Sequence, residues 1–426
     1  MFDKFKSNIL NNNIRNGFLF AVFSIINSGL NFFLLFILAK NLTLEDYGYL
    51  NLYNNFITIG TIISSLGTSG YISVVFFKNK NKLHEYISSI SFISFSVICF
   101  LLVVILLLGD FRFIGINKYI LLCAPVYCFF QYFITLVLDY RRLNESVASY
   151  GYLTIFIALS NFILTFAFVG KYQAWEVRVL VQLLVAFLSF LYSLSILHNN
   201  RYLSVKNIKY YCIKDALIFG LPLIPHLLTV WLRQGLDSYI IKYNYDAATV
   251  GIYSFAMNFY SIIYILGSAF NNSNSVNIYK ILANGYTDDT KVLFKKNNRL
   301  IIVLFAVITI CTIIFAYVFV PTFFNVYTGS LEYIIPLCIA GFFQIIYLLY
   351  VNILYFYEKT KLLMKVTFGL SLIYSFGSFV ITKFSLNYLS YWLMLINFLI
   401  AIIVMFLSQK ELNKSYKTTS VPLRDC

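Results

Sequence analysis

The residues best placed to do chemistry lie in one apolar stretch. Residues 216–241 are largely apolar yet contain His226, Arg233, Gln234 and Asp237. Arg233 and Asp237 are four apart, so on a helix they share a face. An ionisable group inside a long apolar segment is costly and is by default a functional candidate. The chemistry it offers is non-covalent. A guanidinium binds an anion such as a phosphate, with Gln234 beside it, and the carboxylate holds that cation or exchanges it for another. The competing reading is a structural ion pair near the membrane surface. Arg233 lies about 25 Å along a helix rising 1.5 Å per residue, a depth from which it can snorkel. His226 is a titratable imidazole suited to proton coupling, against the alternative of a neutral core histidine. Pro222 and Pro225 remove backbone donors from the same helix and mark either a hinge or a static kink.

Neutral polar side chains form a second group of candidates. Asn27 and Asn31 mark one face of an apolar run, and Asn271 and Asn272 end another. Thr58, Thr61, Ser64, Ser65, Thr68 and Ser69 line a third. Amides and hydroxyls suit the hydroxyls of a sugar, and they also serve as interhelical hydrogen-bonding groups. Asp139, Arg141 and Arg142 follow another run and read as a surface anchor or an entry point for an anion. The seven cysteines include no C-x-x-C pair and no neighbouring histidine cluster, so no metal site is expected. There is no phosphate-binding glycine loop and no nucleophile motif, so neither an enzyme nor ATP-driven transport by this chain alone is expected.

These residues sit in an unusually apolar chain. Of 426 residues 60% are hydrophobic and 12% charged, against about 25% charged in soluble domains. Mean hydropathy is +0.79. That composition excludes a soluble enzyme, a disordered chain and a fibrous repeat. Twelve apolar runs stand out, at 16–39, 48–77, 86–108, 118–138, 150–169, 177–197, 216–241, 251–275, 300–320, 333–356, 363–382 and 386–407. Each is long enough for a transmembrane helix and too long for a barrel strand. The first is too long for a cleavable signal and is read as a retained span.

The net charge of +15 reflects membrane topology rather than nucleic-acid binding. With the N-terminus in the cytoplasm, inner segments hold 24 Lys and Arg, beginning with Lys4, Lys6 and Arg15 and ending with Arg424. Outer segments hold seven, namely Lys40, Arg112, Lys118, Lys171, Arg178, Lys242 and Lys383. Both termini are therefore expected in the cytoplasm. The inner connection 276–299 carries a turn signal at Asn284–Gly285 and Asp288–Asp289.

The chain divides on paper into a six-helix bundle at 1–200, a cytoplasmic linker at 201–215, a second bundle at 216–410 and a tail at 411–426. An offset of 203 superposes Gly17 on Gly220, Asn41 on Asn244, Gly48 on Gly251 and Asn55–Phe56 on Asn258–Phe259. Six spans per half is even, so the bundles share one orientation. They would be related by a pseudo-two-fold axis along the membrane normal. The expected fold is thus an all-α polytopic membrane protein of twelve transmembrane helices.

The stretch Leu42-Thr43-Leu44-Glu45-Asp46-Tyr47-Gly48, followed by Leu66-Gly67-Thr68-Ser69, resembles polysaccharide-biosynthesis membrane proteins. Asp246 to Gly251 is a weaker echo of the first motif. The family is that of Wzx-type O-antigen and polysaccharide flippases, in the multidrug/oligosaccharidyl-lipid/polysaccharide exporter superfamily. The resemblance implies two bundles around a central cavity in the bacterial inner membrane. It also implies alternating-access movement of an undecaprenyl-diphosphate-linked oligosaccharide to the outer leaflet, for O-antigen, lipopolysaccharide or another surface polysaccharide. On that reading Arg233, Gln234, Asp237, Asn27, Asn31, Asn271 and Asn272 face the substrate. His226 or Asp237 couples transport to protons or sodium, and no cofactor is needed. Membrane lipids and the pathway's polymerase and chain-length regulator are the expected partners, and nucleic acid is not. A multidrug exporter of the same superfamily and a polysaccharide polymerase are the alternatives. Against the first, the run at 16–39 holds no carboxylate; against the second, there is no large outer loop.

Overall fold

The computed structural model describes residues 19, 22, 23, 26–108, 115–283 and 288–419. Lys4, Lys6, Arg15, Gly17, Arg112, Asn284–Gly285, Arg424 and Cys426 lie outside them, as do the side chains of Asn272, Asp288 and Asp289. Hydrocarbon offers the backbone no hydrogen bonds, so an apolar chain must satisfy its own peptide groups, and helices do this segment by segment. The regular elements are accordingly helices. They are α1 (residues 26–41), α2 (Leu44–Ser65), α3 (Tyr71–Lys78), α4 (Leu83–Leu108), α5 (Lys118–Leu143), α6 (Val147–Tyr172) and α7 (Trp175–Asn199). Then come α8 (Tyr210–Gly220), α9 (Ile224–Gln234), α10 (Leu236–Asn244), α11 (Ala247–Ala283), α12 (Asp288–Phe323), α13 (Leu331–Phe356), α14 (Thr360–Ile381) and α15 (Asn387–Thr419).

Among the described residues ten helical segments are long and apolar enough to cross a membrane, and the bent pair Leu44–Ser65 and Thr68–Lys78 makes an eleventh. The chain is a multi-pass membrane protein. The expected span at 16–39 begins outside the described residues, and α1 covers its end. Lipid-facing surfaces are apolar, as on α12, which exposes Leu300, Val303, Leu304, Val307, Ile310 and Ile314.

Internal packing divides the chain into two compact units, Met1–Trp231 and Leu232–Cys426. In the first, Ile87, Ile90, Val137 and Leu197 from α4, α5 and α7 share one core. Residues 201–215, expected as a linker, are tied to this unit. Ser88 Oγ donates to Tyr202 O at 2.7 Å, Ser89 Oγ accepts the Lys209 N–H at 3.0 Å, and the hydroxyls of Tyr140 and Tyr202 meet at 3.0 Å. In the second unit α13 packs against α11 and α15.

The structure adds detail to the sequence expectations in three places. The run 48–77 is not one helix. Leu66 and Gly67 take left-handed conformations (φ 45° and 69°), and the chain bends by 53° there. Local hydroxyls take up the freed backbone groups: Ser65 Oγ accepts the Gly67 N–H at 3.3 Å, and Thr68 Oγ1 donates to Ser65 O at 2.6 Å. The run 216–241 is likewise broken into α8, a short 3-10 turn at Leu221–Leu223, α9 and α10, with Pro222 opening the turn. Finally, the inner connection 276–299 is mostly helix. With 37 and 36 residues, α11 and α12 measure about 55 Å each, well beyond a ~30 Å hydrocarbon core.

The two breaks meet. An added Cβ on Gly220 would lie 2.4 Å from Leu66 O and 2.9 Å from Gly67 C and Thr68 N. Backbone thus packs on backbone, with no room for a side chain. Tyr71 and Phe219 flank the contact, their ring centroids 5.1 Å apart.

The 203-residue offset also has a structural counterpart. Thr43 caps α2: its Oγ1 accepts the Asp46 N–H at 3.1 Å and donates to Asp46 Oδ2 at 2.7 Å. The hydroxyl takes up an N–H that opens the helix, and the acid holds the hydroxyl in turn. At the equivalent position Asp246 accepts both the Thr249 N–H and its hydroxyl at 2.7 Å, at the start of α11. The two halves use the same cap with acid and hydroxyl exchanged.

Two measurements follow from these contacts. Gly220→Ala is expected to destabilise the purified protein by about 1–3 kcal/mol, as overpacking does. Gly369→Ala in α14, which meets nothing within 4 Å, should stabilise it by about 0.5–1 kcal/mol, both read from thermal unfolding in detergent. At α11 the hydroxyl and N–H of Thr249 hold the Asp246 carboxyl below its ordinary value. A lowered folded value gives stability that is present above the unfolded value and lost as pH falls through the folded one. The stability difference between wild type and Asp246→Ala should therefore be about 0.5–2 kcal/mol at neutral pH and shrink below about pH 4.

Candidate functional site: a buried arginine and aspartate

On an unbroken helix the four-residue spacing would let Arg233 and Asp237 pair. They do not. Arg233 ends α9, Gly235 interrupts the helix, and Asp237 opens α10. Both are almost fully buried, at 4% and 1% exposure, and each is held by other helices. Arg233 Nη1 donates to Asn397 Oδ1 of α15 at 2.5 Å and to Gln344 Oε1 of α13 at 3.3 Å. Asn397 is oriented in turn, since its Nδ2 donates to Ala340 O at 3.1 Å. These two partners are neutral amides. They orient the guanidinium from two other helices.

Asp237 Oδ2 accepts the Tyr374 hydroxyl of α14 at 2.5 Å. Its other oxygen, Oδ1, is buried with no hydrogen-bond partner, as are Tyr253 Oη and Ser378 Oγ. Tyr253 and Tyr374 are both within electrostatic reach of the carboxylate. A buried carboxylate oxygen without a donor costs several kcal/mol unless a proton or cation satisfies it. The expected ion pair is thus replaced by two separate sites, one cationic and one anionic, in the second unit.

The other anticipated residues have identifiable surroundings. Gln234 Nε2 donates to the buried Tyr260 hydroxyl at 2.9 Å. Asn271 Oδ1 accepts from Asn352 Nδ2 of α13 at 2.8 Å. Asn31 Nδ2 donates to Asn27 Oδ1 at 3.3 Å along α1. Half-buried His226 follows Pro225 in the first turn of α9, and its carbonyl accepts the Thr229 hydroxyl. The hydroxyl row of α2 bonds to its own helix, with Thr58 on Asn54 O, Thr61 on Thr58 O and Ser64 on Thr61 O. Asp139 and Arg142 form a surface ion pair at 2.8 Å.

Sequence reading missed Asn397, Gln344 and Tyr374. A usable signal existed: an amide stranded in an apolar run needs a partner just as a charge does. It also missed Arg178, counted above as an outer-loop cation. This residue is buried in the first turn of α7, where its Nη1 donates to Asn161 Oδ1 at 2.8 Å and Thr165 Oγ1 at 3.0 Å.

Residues 14–273, more than half of the chain, match the family described as polysaccharide biosynthesis protein. The chain belongs to that family. A Haemophilus influenzae relative named "Lsg locus putative protein 1" is 24% identical over 373 residues, covering 84% of this chain and 89% of its own length. Another protein from that organism, an "uncharacterized membrane protein", is 25% identical over 344 residues, 78% of this chain and 80% of its own. Among solved structures, an inward-facing multidrug resistance MATE family transporter of the MOP superfamily has a TM-score of 0.73 at 13% identity, over 93% of this chain and 96% of its own. The lipid II flippase MurJ, in an inward closed conformation, has a TM-score of 0.66 at 15% identity, over 93% of this chain and 87% of its own. The chain therefore shares its fold with these two transport proteins.

The Arg233 arrangement can be checked by a double-mutant cycle. Asn397→Ala removes the guanidinium's charge-assisted acceptor and is expected to cost about 1.5–3 kcal/mol. Combined with Arg233→Gln, the two changes should be non-additive by about 1–3 kcal/mol in chemical unfolding.

Proposed function

We propose that this protein is a flippase that carries an undecaprenyl-diphosphate-linked oligosaccharide from the cytoplasmic to the outer leaflet, for O-antigen or another surface polysaccharide. The observation that carries this reading is the combination of a polysaccharide-biosynthesis family match with the fold of a lipid II flippase. The step is non-covalent. Its cost lies in taking a diphosphate and a hydrated glycan through hydrocarbon.

On this reading twelve spans form two six-helix bundles related by a pseudo-two-fold axis along the membrane normal. A cavity between them opens alternately to each side. The protein sits in a bacterial inner membrane with both termini cytoplasmic, and the pathway's polymerase and chain-length regulator work beside it. Arg233 pairs with the diphosphate, a role supported by its burial among amide side chains of α13 and α15. Gln234, Asn27, Asn31, Asn271 and Asn272 meet sugar hydroxyls. Asp237, with its buried oxygen lacking a donor, takes up a proton or sodium ion that couples transport, with His226 as the second candidate. Pro222 and Pro225 bend span seven next to the backbone contact at Gly220. The tied-down segment 201–215 supports placing the joint there rather than in a loose linker.

The test is leaflet location in cells and flipping in proteoliposomes. Deleting the gene should leave lipid-linked oligosaccharide on the cytoplasmic side. Arg233→Gln, at wild-type expression, should slow flipping at least about tenfold, the equivalent of some 1.4 kcal/mol, and Arg233→Lys should slow it less. Repeat units reaching the outer leaflet normally in the deletion strain would defeat the proposal. A second reading, a multidrug exporter, is favoured by the MATE likeness. It predicts an intact glycan and raised drug susceptibility in that same strain.

A further inference from the structure

Arg178 poses a problem that the transport reading leaves unsolved. It lies in the first turn of α7, where the helix dipole disfavours a cation. It is 8% exposed, and its hydrogen-bond partners are neutral: Asn161 Oδ1 at 2.8 Å and Thr165 Oγ1 at 3.0 Å. Asn161 is fixed for this task. Its Nδ2 donates to Ile157 O at 2.9 Å, which turns its oxygen toward the guanidinium. Thr165 is fully buried. The Tyr127 phenol is close enough to interact electrostatically with Arg178. Gln182, one helical turn on, faces the same phenol, and its Oε1 is buried with no hydrogen-bond partner. The guanidinium is therefore bonded to the oxygens of one amide and one hydroxyl, with a phenol in electrostatic reach. Such a set of neutral oxygens can accept hydrogen bonds from a cation.

We infer that these residues form a cation cage in the first unit and that the Arg178 guanidinium is its permanent, covalently tethered occupant. The first unit then takes no exchangeable ion, and ion dependence falls to Asp237, a consequence that rests on the coupling role proposed above. Truncating Arg178 empties the cage and turns it into a site for a free cation.

The experiment uses the purified full chain and thermal unfolding, a readout independent of whether the protein flips lipid. Arg178→Ala is titrated with guanidinium chloride at millimolar concentrations, far below denaturing ones. Urea serves as the neutral analogue of the same shape. Guanidinium is expected to raise the variant's Tm by roughly 3 °C or more, urea to leave it unchanged, and the wild type to respond to neither. Equal responses of variant and wild type, or rescue by urea to the same extent, would overturn the inference. If Arg178→Ala does not fold, Arg178→Lys and Arg178→Gln decide the matter. Lysine keeps the charge and should keep most of the wild-type Tm. Glutamine removes it, and its Tm should fall and partly recover with sodium. A lysine variant that falls as far as the glutamine one would show that the cage does not hold a charge.

Discussion

The whole structure depends on one constraint: inside hydrocarbon, each polar group must find its partner within the chain. This explains why the elements are helices. It also dictates where helices can stop. The break in span two at Leu66–Gly67 is possible because Ser65 and Thr68 reabsorb the freed backbone groups. The break in span seven lies against it, with Gly220 on Leu66 and Gly67, so the two interruptions bury each other. A side chain at either glycine would force the pair apart and expose both.

The same constraint shapes the polar interior. Each unit holds a buried arginine, and both use one device. An asparagine donates its amide N–H to a helix carbonyl and thereby presents its oxygen to the guanidinium. Asn161 bridges Ile157 and Arg178, and Asn397 bridges Ala340 and Arg233. The amide oxygen satisfies guanidinium donors that would otherwise be buried without an acceptor. Asp237 shows the complementary arrangement, a carboxylate set among tyrosine hydroxyls.

The internal repeat survives in the chemistry of helix starts more than in identities. Thr43 with Asp46 and Asp246 with Thr249 exchange residue types but make the same closed cap. An exchange of this kind is invisible to residue matching, because neither position is conserved in type between the halves. The geometry that the cap demands is what persists.

Membrane residence, helical class and the approximate position of most spans were legible in the sequence, because a ~20-residue apolar run has few other physical solutions. Arg233 and Asp237 could be singled out for the same reason: charge in an apolar run is rare and costly. Their partners could not. The four-residue rule assumes an unbroken helix, and Gly235 with its neighbours breaks it, so Asn397, Gln344 and Tyr374 from distant helices fill the places that the rule gave to each other. Arg178 looked like a loop cation because sequence marks where a span begins but not which way its first turn faces. Spacing along one helix is a local property and can be read from one segment. Which buried charge meets which amide depends on how α9, α10, α13, α14 and α15 pack, and only the tertiary structure decides that.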